Sequence, residues 1–174
     1  IVLDNGLHLP MLRSQNFGNN YLSLADYFSS AERATPIGLF CIKVEDSLQH
    51  TDCKSFECLL RQALCARLAE ATANWMQQKI EGDTTIIRPA FGYPTCPDHS
   101  LKQLVFQAIK AGEKLGVTLT ESFVIQPVTS ICGFLIAHSE AKYFTVGQID
   151  DEQIADYANR RQLPLETIKK LLNS

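Results

Sequence analysis

From Ser55 to Ile80 the chain contains neither glycine nor proline. Leu60, Leu64, Leu68, Ala71 and Trp75 recur along that stretch at the spacing of one helical face. A long helix is therefore predicted here, with Gly82 just past its end. The next segment forbids regular structure. In "IIRPAFGYPTCPDHS" (86–100), Pro89, Pro94 and Pro97 each remove a backbone donor and push the preceding residue towards extended geometry. The contrast between an uninterrupted helix and a proline-pinned loop constrains the rest of the chain.

Around these two segments the other elements fall into place. "SLADYF" (23–28) reads as a short helix capped by Ser23. "IGLFCIKV" (37–44) is a continuous apolar run of strand length, predicted to be a central strand buried on both faces. "TTII" leads as a strand into Arg88. A second helix is predicted to begin near Asp98 or Ser100, with Leu101, Leu104, Val105, Ala108 and Ile109 as its stripe and Gly116 as its stop. "SFVIQ", "ICGFLIA" and "YFTVGQI" read as strands, the last two joined as a hairpin through "HSEAK". Two short helices close the chain, one over about 151–161 and one starting near Pro164. Residues 1–21 show no period. The predicted fold is α+β, an antiparallel or mixed sheet with flanking helices.

Composition narrows the function. With 174 residues the chain can bury a core without a staple. The net charge of −3 and the absence of a Lys/Arg stripe argue against nucleic acid. No apolar stretch approaches bilayer-spanning length, and no signal peptide is read at the start. The six cysteines form no CxxC pair, which points to reduced thiols and a cytoplasmic protein. Cys58 and Cys65 are read as small apolar residues on the long helix.

Three chemical readings can be weighed on residues alone. The terminal helix pair could pass for a helix-turn-helix, but Asp150, Asp151, Glu152, Asp156 and Glu166 offset its basic residues. Cys96, His99 and His138 could offer three metal ligands, with no fourth evident. Cys96 and His99 could also be a nucleophile and base, or could merely pack and orient the next helix. Arg88 stands apart. At the end of a strand and the start of a rigid loop, it presents a planar fork of donors suited to a carboxylate. Gly92 allows close backbone approach and Tyr93 offers a flat face. Either the loop is a binding edge for a small zwitterionic or aromatic ligand, or Arg88 pairs with an internal glutamate.

"RPAFGYPTCPDH" (88–99) resembles the R-P-A-x-G-Y-P-x-C-P-x-H signature of the activation domain of cobalamin-dependent methionine synthase. The resemblance runs in order through "LADYF", "IGLFCI", "ALCARLAEATANWM", "LTES", "SICG", "HSEAKYF" and "DEQIADY", over about residues 22–172. It implies a twisted antiparallel sheet with flanking helices. It implies binding of S-adenosylmethionine and docking over a partner's cobalamin, where an electron from flavodoxin or a similar donor and the ligand's methyl group restore methylcobalamin. By this resemblance Arg88 holds the methionine carboxylate and Glu70 faces the amino group. Ala90, Gly92 and Tyr93 shape the loop, and Tyr143 and Phe144 occupy the family's Tyr-Tyr position beside the adenosine. Several differences accompany it, among them that "GFLIAHS" lacks the family's aromatic pair and His-Pro. Phe144 replaces a tyrosine, "EGDTTI" (81–86) stands for a longer segment, and residues 1–21 are set apart as an extension before a domain of residues 22–174. The alternatives are a docking module without ligand binding and a repurposed small-molecule binder. No metal and no membrane partner are expected.

Overall fold

The computed structural model describes residues 1–28, 35–45, 55–82 and 84–172. The long helix, α1, spans Phe56–Ile80, and the Ser55 hydroxyl accepts from the Cys58 amide at its start. Its inward face is not the one its large residues suggest. Cys65, Ala69 and Ala73 are buried, whereas Leu60, Leu64, Leu68 and Trp75 are exposed. The reason lies in the surface that α1 meets. Ala73 packs with Phe40, Ile86 and Leu135, bulky side chains of the sheet. Small residues let the helix approach bulky ones at native packing density.

The sheet has three antiparallel strands in the order β1 (Ile37–Ile42), β5 (Ile131–Ala137), β2 (Ile86–Ile87). Ile37 pairs with Ile136 and Ile42 with Ile131, while Ile87 pairs with Ile136 from the other side. The central strand is therefore β5, not β1. The apolar run of β1 reflects helices on both of its faces, α1 and α2 (Lys102–Ile109), although its residues are mostly half-buried. A separate ribbon pairs β3 (Thr118–Leu119) with β4 (Ile125–Gln126).

The predicted second helix is divided. Asp98 caps a 3-10 turn at His99–Leu101, α2 comes next, and Lys110 takes a left-handed conformation (φ 55°) before α3 (Ala111–Leu115), which ends at Gly116. The break lets Ala111 and Val117 enter the core. Ser23 and Asp26 form a capping box around the 3-10 turn Leu24–Tyr27, so "SLADYF" is shorter and tighter than an α-helix.

"YFTVGQI" is not a strand. Phe144 and Val146 are buried and their neighbours exposed, so the segment has the alternation of an extended chain. Its bonds go elsewhere, however: the Val146 amide donates to the Pro94 carbonyl (2.9 Å) and Thr95 Oγ1 to the Phe144 carbonyl (2.6 Å). It lies across the proline loop, and a loop with so few amides cannot offer a ladder.

Helices α4 (Asp151–Arg161) and α5 (Leu165–Leu172) form a hairpin that places Tyr157, Ala158 and Ile168 in the core. Three of their basic residues are engaged: Arg160 with Asp156, Arg161 with Asp98, Lys169 with Asp151. Leu9, Met11 and Leu12 of the N-terminal segment share this core. Cys41, Cys65, Cys96 and Cys132 are free thiols, but Cys58 is disulfide-bonded, contrary to the reading of all six as reduced. Cys58 lies half-buried in the first turn of α1, whereas Cys65 is covered. Cys53 lies outside the described residues. No described helix is long and apolar enough to cross a membrane.

Candidate functional site

Strand β2 ends one residue before Arg88, and Pro89 prevents it from continuing. The loop then closes on itself. The Gly92 amide donates to the Cys96 carbonyl and the Cys96 amide to the Tyr93 carbonyl, each at 2.8 Å. Gly92 sits at φ 85°, the left-handed region. Segment 143–146 braces the loop from outside, and the Arg88 amide donates to the Tyr143 hydroxyl (2.9 Å). The rigidity expected from the prolines is thus reinforced by hydrogen bonds.

The Arg88 side chain is largely buried, 15% exposed. One of its terminal nitrogens donates to Glu70 Oε2 (3.1 Å) and to Asn74 Oδ1 (2.9 Å). Its guanidinium lies over the Phe40 ring, 5.8 Å from the centroid. Glu70 and Asn74 are one turn apart on α1, so the helix presents both acceptors together. The two sequence-level alternatives for Arg88 are therefore not exclusive. It has an internal glutamate partner, and that pair forms the wall of an open cleft.

The cleft has a volume of about 710 Å³, within the usual range for small-molecule sites. Of the residues singled out from sequence, Glu70, Arg88, Ala90, Tyr93, Tyr143 and Phe144 line it. Gly92 does not. It lies behind the loop, where a side chain would run into the His99 ring. Tyr143 is exposed at the cleft, whereas the Phe144 ring is 7% exposed and belongs to the core. A hydroxyl at position 144 would have to be buried, so phenylalanine suits the place.

Sequence reasoning missed Asn74, which only its i+4 relation to Glu70 could have indicated. It also missed the far end of the cleft, where Val124, Ile125, Val128 and Ile131 form an apolar wall beside Lys102. The Lys102 ammonium donates to His99 Nδ1 (2.8 Å) and to the Phe123 carbonyl (2.9 Å). The neutral ring then carries its proton on Nε2. Burial, then the Lys102 charge, lowers the His99 pKa below its ordinary value of 6.5. Burial also lowers that of Lys102. With its folded pKa depressed, His99 contributes stability that is complete above about pH 6.5 and is lost as pH falls through the folded value. The thermal midpoint is expected to drop between about pH 7 and pH 5, and His99→Gln to flatten that part of the profile. An unchanged slope in the variant would refute the assignment.

The same loop disposes of the Cys96 chemistry. Cys96 is buried and burial, followed by Asp98, raises its thiol far above the ordinary range, so a thiolate nucleophile is disfavoured. His138 packs against the Tyr27 ring (5.3 Å between centroids). Among the described residues, no group of three His, Cys, Asp or Glu is placed to hold a metal ion.

Fold and site together define an α+β domain with an open cleft lined by an Arg–Glu pair and by apolar side chains. Two stretches of the chain, residues 4–86 and 81–162, match the family model for the activation domain of vitamin B12-dependent methionine synthase. The chain belongs to that family. The match begins at residue 4, so it includes most of the N-terminal segment that sequence reading set apart as lying outside the resemblance. Its two parts meet at the short link between α1 and β2. Among solved structures, the chain is similar to the MetH reactivation domain bound to AdoHcy, with 30% identity and a TM-score of 0.64. The likeness covers 68% of this chain and 42% of that one.

Proposed function

We propose that this domain binds S-adenosylmethionine in the Arg88 cleft and presents it to the cobalamin of a partner methionine synthase domain or subunit for reductive methylation. The observation that carries the reading is the Arg88–Glu70 pair on the cleft wall. A free amino-acid moiety brings a carboxylate for Arg88 and an ammonium for Glu70, so it can insert between them and leave both charges paired. The related domain crystallised with AdoHcy, the demethylated form of the same ligand, supports this choice of ligand. Ala90 and Tyr93 would then shape the loop side of the ligand, with Gly92 holding the turn behind them. Tyr143 and Phe144 would flank the adenosine. A cobalamin held by the partner would supply the methyl acceptor and flavodoxin or a similar donor the electron, while this chain's cleft would hold the sulfonium ligand towards them. This chain supplies position, not acid–base chemistry.

Calorimetry tests the binding step. Saturable heat with S-adenosylmethionine is expected, and Arg88→Ala should weaken binding by about 1.5–3 kcal/mol, or roughly 10- to 150-fold. Absence of both heat and thermal shift at millimolar ligand would reject ligand binding. It would favour a docking module that acts through protein contacts, a reading supported by the two acceptors Arg88 already has without ligand. The second step is read from the cobalamin absorption spectrum of the oxidised partner. Recovery in the presence of reductant and S-adenosylmethionine should require this domain, and equal recovery without it would exclude reactivation.

A further inference from the structure

We infer that Asn74 is a positioning residue for the ligand carboxylate: it holds Arg88, without cancelling its charge, once Glu70 turns to the ligand's ammonium. The inference rests on the reading of the cleft as an S-adenosylmethionine site. The Nη2 group of Arg88 has two hydrogens and two acceptors, Glu70 Oε2 at 3.1 Å and Asn74 Oδ1 at 2.9 Å. These acceptors are not equivalent. Glu70 lines the cleft and Asn74 does not, so a cleft ligand meets the carboxylate rather than the amide. The Glu70 side chain is 51% exposed and that of Arg88 15%. The glutamate therefore has room to take a new partner, whereas the guanidinium is held over the Phe40 ring.

A zwitterionic ligand brings one charge of each sign. Its ammonium competes with Arg88 for Glu70. As that carboxylate turns away, a largely buried guanidinium loses an acceptor, and an unpaired buried donor is costly. Asn74, one turn further along α1, keeps a hydrogen bond to Nη2 in place. Its amide oxygen carries no net charge, so the positive charge of Arg88 stays available to the ligand carboxylate. Among the described residues the Nη1 and Nε atoms of Arg88 donate to no acceptor, which leaves one edge of the fork for that carboxylate. An aspartate at position 74 would stay ion-paired with Arg88 and repel the ligand carboxylate. An alanine would leave Nη2 without a protein acceptor whenever the ligand engages Glu70. A ligand with a carboxylate but no ammonium would leave Glu70 on Arg88, and for it the amide would be dispensable.

Calorimetry of the full 174-residue chain with three probes tests this. They are S-adenosylhomocysteine, its analogue without the amino group, and methylthioadenosine, which has neither charge. Displacement of S-adenosylhomocysteine reads affinities too weak for direct titration. Asn74→Ala should weaken S-adenosylhomocysteine by about 2- to 12-fold, the scale of one lost hydrogen bond, and leave the other two probes unchanged. Asn74→Asp should weaken both carboxylate-bearing probes by about 2- to 5-fold, the scale of an exposed charge pair, and leave methylthioadenosine unchanged. Asn74 is exposed on α1, so both variants should fold, and circular dichroism checks that they do. A merely structural role would shift all three probes together. A wild-type chain that does not bind S-adenosylhomocysteine rejects the reading of the cleft, and this inference with it. A wild type that binds, with Asn74→Ala shifting all three probes equally or none, overturns the inference alone. So does an Asn74→Asp variant that holds S-adenosylhomocysteine as tightly as wild type.

Discussion

Asp98→Ala is expected to destabilise the domain by about 3–5 kcal/mol, the usual cost of removing one member of a buried ion pair. The Asp98 carboxylate is 1% exposed. One oxygen accepts from the Ser100 amide (2.8 Å) and hydroxyl (2.6 Å), and the other from the Tyr157 hydroxyl (2.7 Å). Arg161 approaches the second oxygen at 3.5 Å and donates to Ser100 Oγ at 2.6 Å. Burial, then Asp98, pushes the Tyr157 phenol far above its ordinary range, so it remains a donor. Alanine would leave a phenol, a guanidinium and a helix-capping amide in the interior without their shared acceptor. Tyr157→Phe removes a single bond to a charged group and should cost about 1.5–3 kcal/mol. Urea unfolding checks both. An Asp98→Ala loss below that of Tyr157→Phe would show that the carboxylate is not the hub. Because Asp98 ties α4 to the end of the cleft loop, this variant should also weaken ligand binding under conditions where it remains folded.

Gly92→Ala is expected to cost about 2–5 kcal/mol, from two independent causes. An alanine at φ 85° adopts a left-handed conformation that costs about 1–2 kcal/mol. Its Cβ would also lie 1.8 Å from His99 Cε1 and 2.1 Å from Nε2. The ring is held by Lys102, so it must move or the loop must open, a strain of about 1–3 kcal/mol. Chemical denaturation measures the total. The companion variant His99→Ala separates the causes, because in that background Gly92→Ala retains only the backbone cost. A double variant no better than additive would mean that the ring is not what excludes a side chain. The glycine of this loop thus serves the packing behind the site, whereas sequence reading had assigned it to the ligand side.

How much of the site was legible depends on where its constraints lie. Arg88, Ala90, Tyr93 and the prolines are adjacent in sequence, so their role as a rigid edge can be read locally. Glu70, Tyr143 and Phe144 came from family resemblance, and the fold does bring them to one cleft. Asn74 and Lys102 became part of the site only through the approach of α1 and α2 to the loop, and neither their type nor their spacing gave a reason to choose them over other polar residues. His99 was singled out from sequence, but as a metal ligand or base rather than as the ring that packs behind Gly92.

Sequence alone determined the elements with strong local causes: α1 from its uninterrupted run, the break at 88–99 from its prolines, and the start of α5 from Pro164. Tertiary structure decided which surfaces those elements use. In α1, periodicity marks two candidate faces, one large and one small, and only the bulk of Phe40, Ile86 and Leu135 selects the small one. The segment 143–149 has the alternation of a strand, and only its position across a proline loop denies it a ladder. Local pattern records what a segment can form. Burial depends on the complementary shape of a surface distant in the chain, and that surface exists only after folding.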